Sequence, residues 1–185
     1  MKQLFRTYGL VIRFILTFLI VYVVLIFGYK FYLQMSTGEV YYPDYITKLV
    51  ADQSAILLND FGYNATVFPH PNEASIKLFL NDKYVARVIE GCNAVSVIIL
   101  FLSFIIAFSG KLKTTIIFGL VGGVLIYVVN LFRIAILAIG FYHFPEYEKV
   151  LHGVVFPAII YGMVFLLWIV WVNRFSKVSE HAKKV

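Results

Sequence analysis

The chain has 185 residues, 61% of them hydrophobic and only 14% charged, with a mean hydropathy of +0.86. Those values exclude a soluble domain with an ordinary polar surface and predict an integral membrane protein. The net charge of +6 does not point to nucleic acid, because the basic residues sit at the ends of apolar runs and not in one patch.

The first apolar run, from about 10 to 32, is long enough to cross a hydrocarbon core of roughly 30 Å at about 1.5 Å per residue. Lys2 and Arg6 before it resemble the basic start of a signal peptide, but the run exceeds a typical signal core and no small-x-small cleavage site follows. It reads as an uncleaved span. From 33 to 91 the chain turns mixed and polar. Pro43-Asp44 marks a helix start, Ile46, Leu49, Val50, Gln53 and Leu57 recur at helical spacing, and Gly62 closes the turn beyond. The result is one amphipathic helix lying on the membrane or on the other spans. After residues 63–68 and a break at Pro69-His70-Pro71-Asn72, two extended pieces, 75–80 and 84–89, flank Asn81-Asp82-Lys83. That turn chemistry makes them a β-hairpin whose second strand leads to Cys92.

A second span covers about 93–109, which is short for a crossing unless the Cys92 end continues the helix outward. A basic turn at 110–113 precedes a third span at about 115–141, and a loop at 143–150 precedes a fourth at about 151–172. The expected fold is a mainly α, polytopic membrane protein. It is one membrane domain over 1–185, with four transmembrane helices and an extracytoplasmic insertion, 33–91, of an amphipathic helix and a β-hairpin. Residues 1–13, up to the start of the first span, hold Lys2, Arg6 and Arg13, Lys111 and Lys113 fill the basic turn, and Arg174, Lys177, Lys183 and Lys184 follow the last span. In 33–91 the acidic residues outnumber the basic ones. The positive-inside rule then puts both termini in the cytoplasm and the insertion outside.

Under that topology Cys92 opens the second span and His152 the fourth on the outer side, while Arg133 lies in the outer half of the third. Arg133 is roughly 10 Å of helix below Gly140, within reach of the interface for a long side chain. A lone membrane cysteine often behaves as a small apolar residue. An arginine inside a span is costly, by about 2.5–3.5 kcal/mol on insertion scales, so a functional or paired role is its default. A thiol acts as thiolate, which a helix N-terminus or an imidazolium stabilises. Histidine can pass a proton to an amine leaving group. Arginine stays protonated, so it either stabilises an oxyanion or clamps a carboxylate.

Asn130 lies three residues before Arg133 on the same helical face, where it could orient the guanidinium, bind substrate or bridge helices. His143 is a rival base, and Glu90, two residues from the thiol, reads as a solvated interfacial acid. Gly119, Gly122 and Gly123 are expected at close helix contacts. One cysteine allows no internal disulfide and no multi-cysteine zinc site, and no metal cluster or phosphate loop is present, so no cofactor is expected.

The constellation of Cys92, then Asn130-Leu131-Phe132-Arg133-Ile134, then His152, at the outer ends of successive spans, resembles the exosortase/archaeosortase family. The small size and the long outer segment are similar to the compact exosortase F type of Bacteroidetes. The resemblance spans roughly residues 10–175, although Asn93-Ala94 follow the cysteine where many members have Ser-Gly. It implies a membrane cysteine transpeptidase of the bacterial inner membrane, facing the periplasm, with Cys92, Arg133 and His152 as the catalytic set. Asn130, Asn93 and Glu90 would bind substrate or support the site. The implied partners are exported proteins bearing a C-terminal motif, a transmembrane helix and a basic tail. The amine acceptor, a lipid or glycan, and any companion membrane protein stay open.

On that reading the substrate's helix packs beside the second to fourth spans, and the outer helix and hairpin roof the site and hold the substrate by strand pairing. The alternative is a non-catalytic scaffold or assembly factor for an envelope complex, with Arg133 as an interhelical clamp. A transporter subunit is disfavoured, since only one ionisable residue lies deep in a span and no pair of broken helices is visible.

Overall fold

A computed structural model gives the structure of residues 2–36, 42–108 and 110–175. The rest of the expected basic tail, 176–185, lies outside the described residues. Helix α1, Lys2–Ser36, extends beyond both expected ends of the first span because nothing between them breaks a helix. It exposes Val11, Ile15, Leu19, Val23 and Phe27 on one side. On the other it meets helix α3, Val95–Ala107, where the Phe14 ring lies 5.6 Å from that of Phe104 and 4.4 Å from that of Phe108.

Helix α2, Tyr45–Asp60, is the expected amphipathic helix. Asp44 caps it by accepting the Thr47 N–H at 3.0 Å, and Gly62, at φ +88, ends it in a conformation that favours glycine. The hairpin is also present, but it is part of a three-stranded antiparallel sheet in the order β1-β2-β3, formed by Ala65–Pro69, Ser75–Leu80 and Lys83–Ile89. Asn81 and Asp82, at φ 51 and 63, form the two-residue turn themselves and leave Lys83 to the strand. Strand β1 was hidden in the sequence because it is only five residues long and half of it faces solvent.

Helix α4, Leu112–His143, is about 48 Å long, well beyond the apolar thickness of a bilayer. Its C-terminal third inserts Ile134, Ala135 and Ala138 into one core with Val50 and Leu58 of α2 and Ile76, Leu78 and Leu80 of the sheet. The α+β layer therefore packs on α4. A second core forms between Phe101 and Ile105 of α3, Ile126 of α4, and Val164 and Trp171 of helix α5, Phe156–Arg174.

Among the described residues three stretches are long and apolar enough to cross a membrane: Val11–Ser36, Leu112–His143 and Pro145–Arg174. The expected second span is not among them, since α3 has only 13 residues, about 20 Å of helix. The expected loop at 143–150 is also largely helical, with a 3-10 turn at Pro145–Tyr147 and one helical turn at Glu148–Val150.

Glycines set the α3–α4 contact, as expected for Gly119 and Gly122. A Cβ on Gly119 would lie 3.1 Å from Leu102, and one on Gly122 would lie 2.4 Å from the Phe101 ring; Gly123 is less crowded, with Ile98 at 3.7 Å. Replacing Gly122 with leucine is expected to cost about 1–3 kcal/mol through overpacking. Gly162→Leu, where nothing lies within 4 Å of the added carbon, is the neutral control for unfolding midpoints in detergent.

Candidate active site

Strand β3 runs into a 3-10 turn, Glu90–Cys92, and the chain passes through Asn93 and Ala94 before α3 begins. Cys92 therefore does not open the helix, contrary to expectation. Ala94, at φ 65, is left-handed and breaks the path, and the Asn93 Oδ1 accepts the Val95 N–H at 3.0 Å. One first-turn donor of α3 is thereby satisfied by a side chain.

Asn93 is buried and does not line the cavity described below. Its Nδ2 donates to the Tyr29 hydroxyl at 2.7 Å and to Thr47 Oγ1 at 3.1 Å, tying the segment after Cys92 to α1 and α2. Asp44, which caps Thr47, also receives the Tyr32 hydroxyl at 3.4 Å. Satisfied buried networks of this kind hold one geometry, because every alternative strands a polar group. Asn93→Ala is expected to cost about 1–3 kcal/mol per stranded group and Tyr29→Phe nearer about 1 kcal/mol, both read from unfolding midpoints.

Asn130 forms the other support. Its Nδ2 donates to the Cys92 carbonyl at 2.7 Å, and its Oδ1 accepts from Arg133 Nη1 at 3.3 Å. One amide thus links the thiol's backbone to the guanidinium, the orienting role open to it from its helical face. Asn130 sits about 27 Å of helix from Leu112, so the segment from Cys92 to the basic turn runs beside that length of α4 although α3 is short.

Among the described residues Arg133 has no carboxylate partner, and its Nε is buried without a hydrogen bond. His152 lies in a π-helical stretch, Leu151–Val155, where the chain from the Pro145 turn enters α5. Such stretches are rare and occur often at functional sites.

Cys92, Arg133 and His152 line one cavity of about 470 Å³, within the size range of small-ligand sites. Strand β3 forms one wall, Ile134, Leu137 and Phe141 of α4 another, and Pro145 and Glu148 the rim beside His152. The other candidates are elsewhere. The Nε2 of His143 is 3.0 Å from the Tyr63 hydroxyl, and neither His143 nor the exposed Glu90 lines the cavity. Sequence reasoning missed Tyr29, Thr47, Glu148 and the β3 wall. Tyr29 is one aromatic in an apolar run and Thr47 one polar residue in an amphipathic helix, so neither carries a local signal.

A family model described as a transmembrane exosortase matches residues 4–173. The chain belongs to that family. The exosortase match encloses all of the cavity-lining residues and, but for Arg174 at the end of the last, the three long apolar stretches. No curated protein and no solved structure matches the chain. Membership makes it a multi-pass membrane protein and supports a transpeptidase-like, peptidase-class role.

Proposed function

We propose that this exosortase-family chain is a membrane cysteine transpeptidase that removes a C-terminal sorting signal from exported proteins. The observation that supports this reading most is the single cavity shared by Cys92, Arg133 and His152, which come from three separate segments of the chain. Cys92 passes its proton to His152 and attacks the carbonyl carbon of the scissile amide as thiolate, and Arg133 holds the oxygen that becomes negative. When the C–N bond breaks, His152 gives a proton to the leaving amine, which departs with the substrate's helix and basic tail. The thioester left on Cys92 is resolved by an amine acceptor, a lipid or glycan, with water as the default, and the thiol is regenerated. Fixing the substrate by its membrane helix supplies the proximity that a modest nucleophile needs. On this reading both termini are cytoplasmic and the cavity opens to the periplasmic face of a bacterial inner membrane.

The test is an acyl-enzyme trap. In cells carrying the parent chain, quenched in acid, a hydroxylamine-labile adduct is expected on Cys92, identifiable by mass spectrometry as the truncated exported protein, and His152→Ala, which cannot protonate the leaving amine, is expected to show neither adduct nor processed tail. A processed tail without any adduct on Cys92, in this variant or the parent, would sink the reading.

A further inference from the structure

Strand β3 is one of the two edge strands of its sheet, and β2 is its one ladder partner among the described residues. Every residue from Lys83 to Ile89 nevertheless lines the thiol cavity. Successive side chains of a strand point to opposite faces, so a space that touches all seven lies along the strand's free edge and not over one face. Leu80 and Lys83 flank a two-residue turn and exchange the ladder bonds, which turns the N–H and C=O of Tyr84, the next residue, toward that edge. A register shift beside Leu78 and Phe79 adds a bulge, a feature found at sheet edges and near active sites.

The strand is also aimed. At its start Lys83 Nζ donates to the Tyr142 carbonyl at 3.4 Å, near the outer end of α4, and just beyond its other end the Cys92 carbonyl accepts from Asn130. From Tyr142 to Asn130 is about 18 Å of helix, close to the roughly 20 Å that β3 covers. β3 therefore descends the outer turns of α4 and stops at the thiol.

We infer that the free edge of β3 binds the segment of the substrate just before the scissile bond, as an added strand running parallel to β3. The direction rests on the proposed function: a substrate whose membrane helix follows the cleaved bond enters from outside and descends toward Cys92, in the same sense as β3. Main-chain bonds supply the attraction, and alternate side chains of the added strand face Ile134, Leu137 and Phe141 across the cavity. The ligand is thus an extended segment with an apolar side chain at every second position.

The test places a photo-cross-linking amino acid at the exposed positions Tyr84 and Ile89, and at Thr66 on β1 as control, in full-length Cys92→Ala chains in cells. Each variant must keep the unfolding midpoint of its parent. Adducts from position 89 are expected within two or three residues of the cleaved bond. Those from position 84 are expected about five residues earlier in the same protein, with none from position 66. The reverse order overturns the parallel ladder, and cross-links only to lipid, or equally from position 66, overturn the docking edge. Failure of the transpeptidase reading has a separate signature, because the tail would then be removed even by Cys92→Ala cells.

Discussion

Cys92→Ala is expected to abolish removal of the C-terminal tail, and Cys92→Ser to lower it by about four orders of magnitude or more. Serine at this position keeps the size and the backbone bond to Asn130, since that bond uses the Cys92 carbonyl. What it loses is thiolate character, which neither His152 nor the Glu148 carboxylate in the cavity lining restores to a serine hydroxyl. Both variants should fold, because the Cys92 side chain is only partly buried and carries none of the polar network around Asn93. The measurement is the mass of an exported protein's C-terminus in cells carrying each variant. A normally processed tail in both would leave the scaffold reading as the better one.

Arg133→Lys is expected to lower the rate by about 10²- to 10³-fold, the usual loss when one oxyanion donor is removed. Lysine keeps the charge but not the planar fork, of which one arm is already held by Asn130 and the buried Nε has no acceptor. Arg133→Leu should be at least as inactive, yet close to the parent in stability, because removing a charge whose insertion costs about 2.5–3.5 kcal/mol offsets the about 1–3 kcal/mol lost when the buried Asn130 Oδ1 is left without its donor, and no ion pair among the described residues is broken. That opposition decides between the two readings of this residue. An interhelical clamp would lose midpoint and rate together, whereas an anion-binding guanidinium loses rate alone.

Much of the outer layer was legible in the sequence because its signals are local. Asp44 before a helical repeat and Gly62 after it bound α2, and Asn81-Asp82 can adopt the left-handed angles of a two-residue turn that β-branched residues resist. Arg133 stood out because a charge in an apolar run is expensive wherever the run goes. The length of the second span was harder to judge. Hydropathy runs on through Asn93 and Ala94, but Asn93 is drawn into bonds with Tyr29 and Thr47, far away in the chain, and the helix starts only after them.

By itself the sequence determined the membrane class, the cap helix, the hairpin and the three polar groups that apolar surroundings make conspicuous, since each depends on composition or on neighbours a few residues away. Only the tertiary structure decided that Cys92 sits on a turn behind a broken helix start, that Asn130 joins it to Arg133, and that His152 and not His143 shares their cavity. The physical reason is that these outcomes depend on which distant partner satisfies each buried donor and acceptor, and hydrogen-bond partners are chosen by proximity in the fold.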